Sequence, residues 1–486
     1  MNDTTPAYQR AAKRSGALPL STLIYQGIGA IPDACMLFAF GTLLLFYYNQ
    51  VLGMPGTLAS AALMLALVVD AIVDPLVGSL SDGLRSRLGR RHALMYGSIV
   101  PLGIASALAF LPPAGLSQNG LFAWLLGSAI AARIAMSFFG VPWNAMVAEL
   151  SDDYVERSKV MMWRYLAAWF GGLAFVLVVW TFVFPSSPAF TPGHLNPRGY
   201  PLFAALLGAT VALAALASTH LTRREVPYLL QPTNGAARFS WARFLRDLAL
   251  AASNRDFALL VVAILVTAAI AGTATALDIY ALTYFWDLDP ERLRWFGFSV
   301  LGAVLAFAVI GPLQRRFEKR GLLITSALIS LVSGFIVVGL RFADVLPANG
   351  DPRLLAILIA NATLRIASDT IAGIMLASMI VDTLDVQELA VGQRQEGVFS
   401  AVLSFAGKAA TGLGVGIGGP LLDHAVRMPA VTSGMQLDAA TLTRLGLVAG
   451  FALPALYLIP ISLAAFYRIN RARHAEIRAR LDLRNR

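Results

Sequence analysis

Residues 70–92 read DAIVDPLVGSLSDGLRSRLGRRH and combine two acids in an apolar run with four arginines just beyond it. Asp70 and Asp74 stand four residues apart, which places both carboxylates on one face of a helix. Two carboxylates this close repel each other, so the face favours a proton or a small cation such as Na+ as a metal ligand. Pro75 follows directly and removes a backbone hydrogen bond beside the pair. The stretch predicts a membrane helix with a coupling-ion site; the alternative is a pair of structural charges near a helix end.

The whole chain has the composition of a polytopic membrane protein. Of its 486 residues 57% are hydrophobic and only 14% are charged, whereas about a quarter is charged in soluble domains. The single cysteine, Cys35, excludes an internal disulfide and a cysteine-based metal site. The net charge of +10 comes from arginines that flank apolar runs, so it indicates membrane topology and no nucleic-acid partner. No nucleophile–base or metal-ligand motif is visible, and we expect neither an enzyme nor a cofactor.

Apolar runs between polar breaks predict an all-α protein with about twelve membrane helices. The predicted spans are 21–49, 56–80, 93–112, 120–149, 162–184, 199–219, 256–285, 296–314, 321–342, 353–381, 396–421 and 443–467. An even number puts both termini on one side, and the arginine-rich loops mark that side as cytoplasmic. The first twenty residues are polar to mildly basic, so no cleavable leader is expected. We expect a monomer in the plasma membrane, in bacteria the inner membrane.

The spans divide into two halves around a long polar loop. We predict an N-terminal six-helix bundle over 1–220, a cytoplasmic linker over 221–255, a C-terminal bundle over 256–468 and a solvated basic tail over 469–486. Charged loops recur at corresponding places: GSLSDGLRSRLGRR follows span 2, and GPLQRRFEKRG follows span 8. Such a duplication is typical of transporters that enclose a site at the membrane midplane. Within the linker, the apolar spacing from Phe239 to Leu248 predicts either a surface helix or a plain connection.

Ionisable residues inside predicted spans are the strongest functional signal, because lipid makes such groups costly. Besides the acids of span 2 they are Asp33, Arg133, Arg164, Asp278, Arg365, Asp369 and Lys408. Arg365 and Asp369 have salt-bridge spacing, which favours a structural bridge over a ligand contact. For Asp278 a gate, a structural role and a solute contact stay open. Lys408 needs a carboxylate from another span, and the acids at positions 33, 70 and 74 are the candidates.

Three segments carry a resemblance to a known family. DAIVDPLVGSLSDGLRSRLGRR resembles the D-x-x-x-D-P-x-x-G-x-x-x-D…R-S-R-x-G-R-R signature of the glycoside–pentoside–hexuronide:cation symporters, the melibiose-permease-like branch of the major facilitator superfamily. GVPWNAMVAELSDDYVERSKVMMWR and VDTLDVQELAVGQRQEGVFSAVLSFAGK resemble its second and third signatures. The resemblance spans the chain. It implies two pseudo-symmetric six-helix bundles, alternating access, and a Na+, Li+ or H+ gradient that drives a solute, typically a glycoside.

The resemblance also implies roles for individual residues. The cation would be held by Asp70 and Asp74, with a hydroxyl from Ser137. Solute-binding candidates are Asp33, Arg133, Trp143, Asn144, Arg164 and Lys408. A cytoplasmic gate would consist of Asp82, Gly89, Arg90, Arg91, Glu149 and Arg157.

Departures from the family pattern bear on the cargo. Gly140 stands where melibiose-type carriers place a sugar-binding acid, and Asn144 stands where they place a stacking tryptophan, although Trp143 is adjacent. Val73 replaces an amide that Na+-using relatives often offer, so proton coupling is a second possibility. Arg133 indicates an anionic or amphipathic solute. The residues therefore predict a sugar, glycoside or uronide symporter; a lysolipid or organic-anion carrier of the same fold, and a sensor that does not transport, are the alternatives.

Overall fold

The structure is a computed structural model that describes residues 8–10, 12, 16–151, 153–232, 255–391, 396–429 and 437–484. Across these residues the chain is built from long helices. They are α1 Leu20–Val51, α2 Gly56–Gly83, α3 Arg90–Leu108, α4 Gln118–Leu150, α5 Val155–Val183, α6 Pro197–Tyr228, α7 Arg255–Phe285, α8 Pro290–Arg316, α9 Lys319–Phe342, α10 Pro352–Val391, α11 Glu396–Pro420, α12 Ala439–Ala465 and α13 Arg471–Arg484. The all-α class expected from the sequence is confirmed.

Membrane-spanning character is shared by most of these helices. Ten helices within the described ranges are long and apolar enough to cross a bilayer. The remaining two predicted spans also form helices, α3 and α11. Helix α3 opens with Arg90, Arg91 and His92, which makes it more polar than α2 and α4, and α11 carries Lys408 within its length. Each of the twelve predicted spans therefore coincides with a helix.

Local capping chemistry sets several helix starts. The Ser117 hydroxyl accepts a hydrogen bond from the Gly120 N–H at the start of α4. The Asp153 carboxylate accepts from the Glu156 N–H, 2.9 Å away, and so caps α5. Helix α5 consequently begins several residues before the predicted start at 162. Arg164 is thereby placed inside the helix and not at its first turn, which corrects the sequence-based boundary.

Helix α1 is interrupted where it packs closely against α4 and α5. Its regular turns stop at Gly29 and Ala30 and resume at Ile31. A Cβ added to Gly29 would overlap the indole nitrogen of Trp143 on α4, so only glycine fits this crossing. A Cβ on Gly171 of α5 would lie 2.7 Å from Ile31. These small residues let α1 pack directly against the helices that carry candidate solute ligands.

The helices fall into two compact units, each with its own packing. Unit 1 contains α1–α6 and unit 2 contains α7–α13, with the division between residues 239 and 240. In unit 1, α4 packs against α2 and α3, while α1 packs against α5 and α6. In unit 2, α10 packs against α8 and α9, and α7 packs against α11 and α12. A short antiparallel pairing of Tyr8–Gln9 with Gln231–Pro232 adds two strands to unit 1.

The basic tail is more than a solvated anchor, which corrects the expectation for part of it. Helix α13 buries Ile477 and Leu481, which are 7% and 3% exposed, in the apolar core of unit 2. Its His474 imidazole lies 3.0 Å from an Asp385 carboxylate oxygen at the end of α10. Arg471, Arg473 and Arg480 of the helix are exposed. The proposed surface helix at 239–248 lies outside the described residues.

Candidate functional site

The acids of the opening stretch lie in unit 1 between α2 and α4. Asp70 is 3% exposed, and its carboxylate accepts a hydrogen bond of 2.8 Å from the Ser137 hydroxyl. Asp74 lies one turn further along α2 and is partly buried. Pro75 has no N–H to donate to the carbonyl of Ala71, so that oxygen lacks its usual helix partner. The structure therefore places a carboxylate and a hydroxyl in contact, with a second carboxylate on the next turn.

This oxygen set suits a proton or a hard monovalent cation. Carboxylate, hydroxyl and carbonyl oxygens are the donors that such cations prefer. Zinc and other transition metals require nitrogen or sulfur ligands or several clustered acids. No group of three or more His, Cys, Asp or Glu side chains in the described ranges is placed to hold a metal ion. The residues present fit the coupling ion expected from the sequence, and they offer few ligands for any other metal ion.

A second cluster in unit 1 surrounds the Arg164 guanidinium. Arg164 is 9% exposed and donates a short hydrogen bond to the side-chain oxygen of Asn144. Its guanidinium carbon lies 3.5 Å from the centre of the Trp143 ring, which is a cation–π contact. Asp33 interacts electrostatically with Arg164 from α1. Four of the predicted solute residues, Asp33, Trp143, Asn144 and Arg164, are thus brought together from three helices.

Trp143 has a packing role in this cluster. The indole N–H donates to the Gln26 carbonyl at 3.0 Å, and the Gln26 amide donates back to the Trp143 carbonyl at 2.9 Å. Phe139 stacks with the indole at 6.2 Å between ring centres, and Arg164 lies over the ring. Trp143 is 4% exposed. Its aromatic surface is covered by its own unit, so Arg164, Asn144 and Asp33 are the members that offer polar groups to a solute.

Arg133 and Gly140 lie on α4 in surroundings that differ from those of the Arg164 cluster. The Arg133 guanidinium lies 5.7 Å from the Phe40 ring centre, and across the described residues the structure records no ion pair for it. A Cβ at Gly140 would meet only the Met136 methyl, 3.7 Å away. The position of the missing acid therefore has room for a side chain. Lys408 lies partly buried on α11 in unit 2, and its pairing with an acid of the first half stays a prediction.

The predicted gate forms a buried ion cluster within unit 1. One Glu149 carboxylate oxygen accepts from Arg90 at 2.7 Å and from Arg91 at 2.7 Å. Arg91 also lies 2.7 Å from an Asp82 oxygen, and its other amino group donates to the Ser81 hydroxyl at 2.8 Å. Glu149 is 4% exposed, Arg90 3% and Arg91 6%. The cluster ties the end of α2 and the start of α3 to the end of α4.

The remaining gate residues shape the backbone around this cluster. Gly89 adopts φ 85°, and a Cβ there would lie 2.9 Å from a Val226 methyl. This conformation is open to glycine alone, so Gly89 is required where α3 begins. The Arg157 guanidinium donates to the Ser151 carbonyl at 2.7 Å and to the Ala148 carbonyl at 3.1 Å. Arg157 therefore caps the carboxyl end of α4 next to Glu149.

Sequence reasoning missed three residues that complete these clusters. Ser81 accepts a hydrogen bond from Arg91, and the Gln26 amide donates one to the Trp143 carbonyl. The Phe40 ring lies beneath the Arg133 guanidinium. Ser81 stands directly before Asp82 in the quoted stretch, so adjacency to a gate acid was an available signal. Gln26 is a polar residue in an apolar span and is fully buried, which was a second signal. Phe40 is one aromatic residue among 27 phenylalanines, and nothing in the sequence distinguishes it.

Comparison with known proteins assigns this chain to a family. Residues 25–471 match the family of MFS/sugar transport proteins. An uncharacterized symporter of Synechocystis sp. is 26% identical, over 91% of this chain and 92% of its own. The isoprimeverose transporter of Lactiplantibacillus pentosus is 21% identical, over 88% and 85%. A protein of Escherichia coli K12, provisionally named a 2,3-dihydroxypropane-1-sulfonate exporter, is 26% identical over 64% and 66%.

Solved structures show the same fold. The xylose transporter of Escherichia coli, in a partially occluded inward open conformation, matches with a TM-score of 0.57 and 15% identity, covering 93% of this chain and 98% of its own. The chain belongs to the MFS/sugar transport family, and it is a membrane transport protein and not an enzyme. The family resemblance and the fold class inferred from the three signature segments are confirmed.

The buried gate cluster is expected to stabilise the folded protein, and this can be tested. Glu149→Gln would leave two buried guanidinium groups with only the more exposed Asp82, and removing one partner of a buried ion pair costs about 3–5 kcal/mol. We expect the unfolding midpoint of the purified protein to fall by about 5 °C or more, measured by intrinsic tryptophan fluorescence during heating. Glu476→Gln is the matched control, because Glu476 pairs with Arg480 on the surface and such pairs contribute little. Equal midpoints for the two variants would contradict a stabilising role for Glu149.

Proposed function

We propose that this chain is a secondary active transporter that couples the entry of Na+ or H+ to a small solute by alternating access. The observation that carries the proposal is the contact between Asp70 and Ser137, with Asp74 one turn away, inside apolar helices. An ionised carboxylate at such a place is costly in a membrane protein and is usually kept for function. A bound cation or proton neutralises it, so occupancy of this site would change the energy of the whole unit.

Coupling requires that the solute and the ion favour the same state of the carrier. Helix α4 carries Ser137 of the cation site and Asn144 of the Arg164 cluster, two helical turns apart. A cation bound at Asp70 would therefore be sensed by the helix that also presents solute ligands. The buried gate cluster holds the ends of α2, α3 and α4 together, so these three helices would move as one body. This supports a role of the gate in rigid-body motion.

The candidate solute groups suit a hydroxylated or acidic small molecule. Arg164 and Asn144 offer donors and an acceptor, and Asp33 offers a carboxylate, which together recognise hydroxyl groups. The relative from Lactiplantibacillus pentosus is named an isoprimeverose transporter, and the family is described as sugar transport. A sugar, glycoside or uronide is therefore the class we favour. We further propose a monomer in the plasma membrane with both termini in the cytoplasm, on the basis of the arginine-rich loops.

Uptake into proteoliposomes tests the coupling role directly. Asp70→Asn keeps the shape of the side chain but removes its charge, so we expect gradient-driven accumulation of solute to fall at least tenfold. Exchange of solute without a gradient should survive, because the solute residues are untouched. The matched control is Asp287→Asn, an exposed acid at φ 52°, where asparagine fits the backbone equally well. Accumulation by the Asp70→Asn, Asp74→Asn double variant against a gradient would refute the proposal.

Arg133 favours a narrower alternative, in which the solute is an organic anion. Its guanidinium has aromatic contact but no recorded ion pair in the described part of the chain, and a neighbouring acid of the sugar-binding type is replaced by Gly140. One relative carries a sulfonate in its provisional name. Under this alternative a uronate or sulfonate binds between Arg133 and Arg164. A lysolipid would use the same positive charge through its phosphate.

Competition against a labelled solute separates these cargo classes. For an anion carrier we expect glucuronate to compete at least tenfold better than the matching neutral glucoside, and Arg133→Gln to remove that preference. Lysolipid competition at concentrations below micelle formation would instead identify the amphipath carrier. If the neutral glucoside competes better than the uronate, the anion alternative is wrong and the sugar assignment stands.

A further inference from the structure

Unit 2 contains a row of cavities that the proposed coupling mechanism does not use. Three cavities of about 240, 30 and 190 Å³ lie between α7, α9, α10 and α12. These four helices form a closed ring, because α7 packs against α10 and α12 and α9 packs against the same two helices. The cavities are therefore lined mainly by these helices of unit 2.

The cavities follow one another along the ring. The 240 Å³ cavity is lined by Ala263 and Leu323, which lie towards the Arg255 end of α7 and the Lys319 end of α9. The 190 Å³ cavity is lined by Phe285 and Val338, towards the opposite ends of the same helices. The 30 Å³ cavity lies between them and shares lining residues with both. The interior of the ring is thus hollow along much of its length.

The junctions between the cavities are polar. Asp278 and Arg365 line both the 190 Å³ and the 30 Å³ cavities. Ser330 and Tyr457 line both the 30 Å³ and the 240 Å³ cavities, and Asp369 lines the latter. Asp278 and Asp369 are exposed although they lie within long helices, and both are among the residues that line these cavities. We call these five residues the charged layer of unit 2.

The members of the charged layer interact with one another. Arg365 interacts electrostatically with both Asp278 and Asp369. Ser330 is a polar neighbour of the Asp369 carboxylate. The Tyr457 phenol interacts electrostatically with Asp278, Arg365 and Asp369. Within the described residues, each helix of the ring thereby contributes a group to the layer: Asp278 from α7, Ser330 from α9, Arg365 and Asp369 from α10, and Tyr457 from α12.

The charge balance of the layer is incomplete. Two carboxylates face one guanidinium, so the fully ionised layer carries one net negative charge inside apolar helices. A structural salt bridge needs a single acid, and a second acid of the same sign adds repulsion and desolvation cost. One proton on either carboxyl group makes the layer neutral. The 30 Å³ cavity exceeds the roughly 10–15 Å³ that a water molecule needs, so water can carry a proton across it.

From this arrangement we propose that the charged layer is a second protonation site, which holds one exchangeable proton between Asp278 and Asp369 and is independent of the Asp70–Asp74 pair. A proton from water in the 190 Å³ cavity adds to an Asp278 oxygen, and the O–H bond breaks again as the proton passes to water in the 30 Å³ cavity. The proton then adds to Asp369 through the Tyr457 and Ser330 hydroxyl groups, each of which accepts one proton as it releases another. No charge other than the proton moves.

Infrared difference spectroscopy of the full-length protein in nanodiscs tests this site. A protonated carboxyl group has a C=O band that an ionised one lacks, so a pH titration counts the acids that take up protons. We expect one component of this band to vanish in the Asp278→Asn, Asp369→Asn double variant. The same component should persist in Asp70→Asn, Asp74→Asn, which separates this site from the proposed coupling site.

Two further variants keep the test decisive. Asp369→Glu keeps a carboxyl group at this position and should retain the component. This result would show that the loss in the double variant comes from the missing carboxyl groups and not from a disturbed structure. The surface control Asp344→Asn, at φ 54° on an exposed loop, should leave that component unchanged. A band that is identical in the wild type and in the Asp278→Asn, Asp369→Asn variant, with both proteins eluting as single species, shows a permanently ionised structural layer and overturns the proposal.

Discussion

The hydrogen bond from Ser137 to Asp70 is the interaction on which this account depends. A carboxylate that is 3% exposed between apolar helices has lost most of its hydration, and the Ser137 hydroxyl replaces part of it. In our proposal a coupling ion or a proton supplies positive charge to this pair. Because Ser137 and Asp70 belong to different helices, the state of this pair also sets how α2 and α4 pack. Our proposal is that ion occupancy and helix position are linked through this contact.

The same constraint explains the other ionised groups of unit 1. Arg90 and Arg91 are buried because Glu149 and Asp82 compensate them, and Arg164 is buried because Asn144, the Trp143 ring and Asp33 surround it. The charges of the gate cluster and of the Arg164 cluster are thus compensated within the unit. Unit 2 repeats the pattern at the end of α10, where Asp382 accepts from Lys319 at 2.7 Å. Its charged layer departs from the pattern, since two acids share one arginine there.

Much of this arrangement follows from the sequence for identifiable reasons. Hydrophobic runs and arginine-rich loops give the helices, because lipid accepts little else. The spacing of Asp70 and Asp74 and the three signature segments predicted a cation site and a gate. The structure brings Asp82, Arg90, Arg91 and Glu149 into one cluster, and the roles of these residues stay predictions. Long-range partners such as Gln26 with Trp143 do not follow, since they depend on how α1 is broken at Gly29. The buried face of the tail was missed because arginines outnumber Ile477 and Leu481 there.

Calorimetric titration of the solute at different Na+ concentrations and pH values is the most direct measurement of the central claim. The account predicts that Na+ or acid tightens solute binding at least tenfold in the wild type, and that Ser137→Ala weakens this dependence. Asp70→Asn should abolish it while solute still binds, because the ligands around Arg164 are intact. If Asp70→Asn binds solute with an unchanged dependence on Na+ and on pH, the ion is held elsewhere and the account is contradicted.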